Sequence, residues 1–149
     1  MKLSARMDYG LRAALDLAER YGAGPVRMRE IASRQGIPPR FLEQLMVTLR
    51  RSRLVESKRG VRGGYLLARP PENMTMADVV EALEGKTALA EHWEHEGPTG
   101  PEGAVARAIR DALAHAQERM FQALEMWSLA DLLARGRELE ERGAPNYEI

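Results

Sequence analysis

The stretch from Val26 to Leu67 leaves a chain like this the fewest options. Val26 to Gln35 reads as a short helix with Met28, Ile31 and Ala32 on one face. Gly36 stops it, because a residue just past a helix end often needs a positive φ, which glycine adopts without a Cβ clash. Pro38 and Pro39 suit the first turn of a new helix, where a missing N–H costs nothing. That second helix, Arg40 to Arg51, places Phe41, Leu42, Leu45, Met46 and Leu49 inward at helical spacing. Its outward face carries Arg40, Glu43, Gln44, Val47, Thr48 and Arg51, which mixes base-reading with phosphate-holding residue types. Two short helices around a glycine turn are a weak signal alone. The next segment strengthens it: residues 54–58 and 65–68 read as two strands around Arg59-Gly60-Val61-Arg62-Gly63-Gly64. Glycine lets that tip approach another backbone closely, and Lys58, Arg59 and Arg62 charge it. A helix-turn-helix followed by a basic hairpin is a winged helix, with one helix for the major groove and a wing for the adjacent backbone or minor groove.

Charge points the same way. The net charge at pH 7 is zero, yet residues 1–70 hold 15 Lys+Arg against 6 Asp+Glu, and residues 71–149 hold 7 against 16. One half is built to meet a polyanion that the other would repel. At 149 residues the chain can bury one good core with a helical extension. With no cysteine, disulfides, zinc–thiolate sites and cysteine-ligated iron–sulfur clusters are excluded. No apolar run has membrane length and no signal peptide is evident, so a soluble cytoplasmic protein with no membrane partner is expected.

The fold class expected is mainly α, with a two-stranded wing and a long C-terminal dimerisation helix. Residues 1–71 would be the DNA-binding domain and residues 72–149 a helical dimerisation and regulatory region. In the first part, residues 4–21 form a helix with Met7, Leu11, Ala14, Leu15 and Ala18 on one face. Lys2, Ser4, Arg6 and Tyr9 at its start could reach a phosphate, although Tyr9 suits a packed core ring equally well. In the second part, Thr75 and Asp78 make a capping box that starts a helix over 75–84, ending before Gly85. Residues 86–103 form a polar loop, crowded late with glycine and proline. A long helix over 102–127 carries Val105, Ile109, Leu113, Ala116, Met120, Leu124 and Trp127 at spacings of three and four residues. Such a narrow seam suits a copy of the same helix in a symmetric homodimer, the alternative being packing on its own domain. Ser128 and Asp131 make a second capping box, starting a short helix to about Arg135 and a charged tail.

Several of these segments resemble a known family. Ser4-x-Arg6-x-Asp8-Tyr9-Gly10-Leu11, Gln35-Gly36-Ile37, Phe41-Leu42-Glu43-Gln44-Leu45, the glycine-containing Arg59–Tyr65 and Ala82-Leu83-Glu84-Gly85 are similar to the bacterial regulators typified by IscR, NsrR and CymR, the Rrf-two type. The resemblance implies a homodimeric winged-helix repressor or dual regulator, crossed at its long C-terminal helices, on a pseudo-palindromic operator in double-stranded DNA. Carried over, Arg40, Glu43 and Gln44 would face base edges, with Thr48 on the same face. Arg59 and Arg62 would enter the minor groove beside Lys58. Ser4, Arg6, Tyr9, Arg50 and Arg51 would hold phosphates. Glu43 has a simpler reading too, a salt bridge to Arg40 or Arg51, and the two are compatible.

Cluster-binding members carry three cysteines in the loop that corresponds to about residues 88–103, where this chain has none. No cofactor is therefore expected. His92 and His95 could close on a divalent metal with Glu94 and Glu96, or be incidental histidines in a solvated acidic loop. The missing cysteines favour the CymR-like branch, which implies control of cysteine and sulfur metabolism through O-acetylserine sulfhydrylase as partner. A tail of Tyr147, Glu148 and Ile149 would suit capture of a terminal carboxylate and an isoleucine side chain; a frayed tail is the plainer reading. A regulator sensing a metal or small molecule in the 86–103 loop is the alternative. A protein-interaction module fits the basic half poorly, and no nucleophile–base constellation suggests an enzyme.

Overall fold

The computed structural model describes residues 4–85 and 103–143. These hold six α-helices, one 3₁₀ turn and a two-stranded antiparallel sheet. Helix α1 (Ala5–Glu19) starts at Ser4, whose Oγ accepts from the Met7 N–H. It buries Leu11, Ala13, Ala14, Leu17 and Ala18. Helix α2 (Met28–Gln35) ends at Gly36, whose φ of 61° is the left-handed cap anticipated there. Helix α3 (Pro39–Arg51) begins almost at once, with Pro39 in its first turn. Leu42, Leu45, Met46 and Leu49 are fully buried, as their spacing requires, while Phe41 is half-buried.

Strands β1 (Val55–Lys58) and β2 (Gly64–Leu67) pair with Val55 opposite Leu67 and Lys58 opposite Gly64. Each lies one residue away from its expected start, and Leu54 and Ala68 are bonded to each other just outside the ladder. The wing also gains a partner the sequence did not disclose. Val26 and Tyr65 exchange both backbone hydrogen bonds, each 2.8 Å, which fastens the hairpin to the lead-in of α2.

After a 3₁₀ turn (Pro71–Asn73), helix α4 (Met76–Glu84) begins in the expected capping box. The Asp78 N–H donates to Thr75 Oγ1 and the Thr75 N–H to Asp78 Oδ2. Helix α5 (Ala104–Glu125) is slightly shorter at both ends than expected. Helix α6 (Leu129–Gly143) is much longer, continuing eight residues past Arg135. The residues after Gly136 are mostly good helix formers, and Arg135 pairs with Glu138 one turn on. Its start is the second expected box, Ser128 with Asp131. Asp131 is held below the usual carboxylate range by hydrogen bonds from Ser128.

A single apolar core runs from α1 through α3 and β2 into α4, and takes in Met74, Val79, Val80, Leu83, Phe121 and Leu129 from beyond residue 71. Backbone bonds from Met76 N to Trp127 O and from Leu129 N to Met74 O, both 2.8 Å, tie the root of α4 to the junction of α5 and α6. No helix among the described residues is long and apolar enough to cross a membrane.

Candidate nucleic-acid interface

One buried polar contact and one half-buried aromatic contact hold the helix pair to α1. Asp16 on α1 is 2% exposed, an uncommon place for a carboxylate. Arg34 on α2 grips it with both arms, Nε to Oδ1 at 3.0 Å and Nη2 to Oδ2 at 2.8 Å. Gln35 Nε2 donates to the same Oδ1 at 3.0 Å, and Arg20 stands 3.3 Å away. Burial pushes the Asp16 carboxyl up, but the hydrogen bonds of Arg34 and Gln35 and the charges of Arg20 and Arg34 outweigh it, so the net shift is downward. Periodicity could not find this clamp, because an aspartate on an apolar face looks like an interruption. The second contact is aromatic. Tyr9 meets Phe41 of α3 edge-on with centroids 5.4 Å apart, and the Arg12 guanidinium lies 4.9 Å over the Tyr9 ring. Arg12 also donates to the Gln35 carbonyl at 2.6 Å and to Asp8. The Tyr9 ring is thus packed against α3, one of the two readings open to it.

Thus fixed, α3 turns Arg40, Glu43, Gln44, Val47, Arg50 and Arg51 to solvent. Among the described residues no ion pair joins Glu43 to Arg40 or Arg51, so its carboxylate remains available to a donor on another molecule. Thr48 is half-buried, donating to the Gln44 carbonyl and accepting from Arg6 Nη2 at 3.1 Å. Arg6 gives its Nε to the Leu83 carbonyl at 3.0 Å, and Ser4 Oγ donates to Glu84. Both residues are therefore engaged in holding α1 to α4. Arg50 reaches Ser57 of β1 at 3.2 Å, joining the end of α3 to the wing.

The wing's glycines have steric work. A Cβ on Gly64 would overlap the Val26 carbonyl oxygen, the atom that the Tyr65 N–H bonds. Lys58, Arg59 and Arg62 are exposed and without a carboxylate partner among the described residues, as are Arg29, Arg40, Arg51 and Arg53. By contrast Arg12, Arg20, Arg34 and Arg69 are all paired. Cations held by no carboxylate thus gather on α3 and the wing, where they are available to a polyanion. Arg29 and Arg53 escaped the sequence reading because neither lies in a motif.

The expected seam on α5 divides. Met120 and Leu124 are half-buried against the core, along with buried Gln117 and Phe121 on an adjoining stripe. Leu113 is half-buried. Val105 is 75% exposed, Ile109 38% and Trp127 42%, and Ala116 is exposed too. Lys2, His92, His95, Tyr147, Glu148 and Ile149 lie outside the described residues.

Comparison with known proteins agrees with this geometry. Residues 3–135 match the family described as Rrf2, iron-dependent transcriptional regulator. The chain is 39% identical over 133 residues to the protein rrf2 of Nitratidesulfovibrio vulgaris, covering 89% of this chain and 87% of that one. It is 38% identical over 113 residues to the transcriptional regulator CymR of Bacillus subtilis, covering 76% and 80%. Among solved structures, T. potens IscR superposes with a TM-score of 0.72 at 33% identity, covering 93% of this chain and 90% of that one. The structure of CymR, described as the global cysteine regulator of B. subtilis, gives 0.71 at 30%, covering 91% and 98%. As for the iron in the family's description, this chain has no cysteine, and among the described residues no three His, Asp or Glu side chains gather to hold a metal ion. The donor set does not fit a thiolate-held cluster. With the family matched over most of its length and a cationic winged helix-turn-helix on view, this chain belongs to the Rrf2 family of DNA-binding transcriptional regulators and is not an enzyme.

Proposed function

We propose that the protein is a homodimeric, sequence-specific repressor that reads a two-fold operator. The observation that carries this reading is the outward face of α3, where Arg40, Glu43 and Gln44 stand exposed next to unpaired wing arginines. In the major groove an arginine matches guanine, a glutamate accepts from cytosine N4 and a glutamine pairs with adenine, each contact worth about 1–3 kcal/mol of discrimination. Arg59 and Arg62 reach the minor groove, while Arg50, Arg51 and Lys58 hold phosphates. The exposed stretch of α5 at Val105 and Ile109 meets its copy, which sets two readers about one DNA turn apart. The likeness to CymR, described as the global cysteine regulator of B. subtilis, supports cysteine metabolism as the regulated pathway; O-acetylserine sulfhydrylase is the signalling partner that this reading proposes.

An operator-shift titration over a range of salt tests the DNA interface. Arg59→Ala is expected to weaken binding and to lower the slope of log affinity against log salt by about 1, the share of one phosphate-equivalent contact. Unchanged affinity and slope would remove the wing from the interface.

A further inference from the structure

The wing presents one side chain that neither its charge nor its fold explains. Val61, at the tip, is 88% exposed, the most exposed of the large apolar residues described. A lone exposed valine usually means nothing. This one sits on a built support. The Gly63 N–H closes a turn on the Gly60 carbonyl at 3.0 Å, and Gly60 has a φ of 111°. Arg27, at the mouth of α2, donates Nη2 to the Val61 carbonyl at 2.8 Å across 34 residues of sequence. The Val26–Tyr65 bridge anchors the hairpin directly beneath. Arg27 thus uses a hydrogen bond to hold the backbone of an apolar residue. Arg59 and Arg62 flank that residue, neither with a carboxylate partner among the described residues.

We infer that Val61 is a specificity residue, a steric probe of the minor-groove floor positioned by Arg27. The inference rests on the proposed reach of the wing into the minor groove. There A·T pairs show only acceptors, whereas a G·C pair adds the protruding guanine N2 amino group. Narrow A·T-rich grooves also concentrate negative potential, which draws the flanking arginines in. An isopropyl group carried between two arginines can rest on a floor without the amino group and collides with one that has it. The two arginines supply affinity, and the valine makes entry conditional on base composition. Apolar side chains pressed into the minor groove are an established means of reading and deforming it.

The test uses the full chain and a duplex that it selects from a random library. The wing's base step is located as the minor-groove protection lost in Arg59→Ala. That step is then made A·T, inosine·C, G·C or diaminopurine·T, which separates the amino group from the major-groove pattern. For the parent chain, A·T and inosine·C should bind alike and the two amino-bearing pairs about tenfold more weakly, while Val61→Ala should shrink the gap to about twofold. Val61→Thr, which keeps the branched shape, should retain the gap, and all Val61 variants should keep the parent salt slope. Arg27→Lys, which keeps the charge but loses the fork that holds the tip, should narrow the gap without altering the slope. Full discrimination by Val61→Ala, or inosine·C behaving like G·C, overturns the inference. Arg59→Ala with unaltered affinity and salt slope would instead overturn the placement of the wing itself.

Discussion

Asp16 shows how much a single carboxylate can contribute to an interface it never touches. It lies buried on α1, and Arg34 and Gln35 of α2 both close on it, so it fastens the first helix of the pair to α1. Asp16→Ala should cost about 2 kcal/mol, less than the roughly 3–5 typical of fully buried pairs because Arg34 is one-third exposed and can be rehydrated. Urea unfolding of the two proteins measures it. The pH dependence comes from the depressed carboxyl. Since the folded pKa lies below the ordinary value of 3.8, the stabilisation is fully present above about pH 4 and disappears as pH falls through the folded value. Acid titrations should therefore show Asp16→Asn less stable at neutral pH and flatter than the parent below about pH 4. A parallel pair of curves would mean that the clamp does not titrate with folding. None of this was legible in the sequence: Arg34 is 18 residues away, and hydrophobic periodicity carries no information on which polar residue is buried with which.

Elements announce themselves by their ends. Gly36, the Thr75–Asp78 box and the Ser128–Asp131 box all lie where their chemistry placed them, because each satisfies orphan backbone groups locally. The far end of α6 had no such marker. Gly136 looks like a stop, but it takes no positive φ and instead continues the helix, exposed and with no neighbour near its missing Cβ. Gly136→Ala should therefore stabilise the protein by about 0.5–1 kcal/mol, the difference in helix propensity, read as a rise in thermal midpoint. A fall would show that the glycine has a packing partner. The seam on α5 was legible as a stripe but not as two jobs. Periodicity marks which residues avoid water, without saying whether the cover comes from the same chain, and Phe121 beside the stripe is what binds the helix to the core.

Across the molecule, charge and shape divide the labour. Unpaired cations stand on α3 and the wing, while Val105 and Ile109 stand exposed near the far end of α5. Ile109→Asp should leave helicity unchanged, since the residue is already part exposed. It should also convert a dimer into a monomer in analytical ultracentrifugation and weaken a two-half-site operator more than a single half-site. Dimers that persist in Ile109→Asp would place the interface elsewhere. The backbone stitch between Met74–Met76 and Trp127–Leu129 gives α5 a fixed root and a distant tip. With 22 residues it is about 33 Å long, so a swing of about 10° at the root carries the tip about 6 Å. Measured against the roughly 34–36 Å between half-sites, that is a large lever on operator spacing. In the proposed dimer, a tilt of this arm is enough to bring the two readers out of step with the double helix.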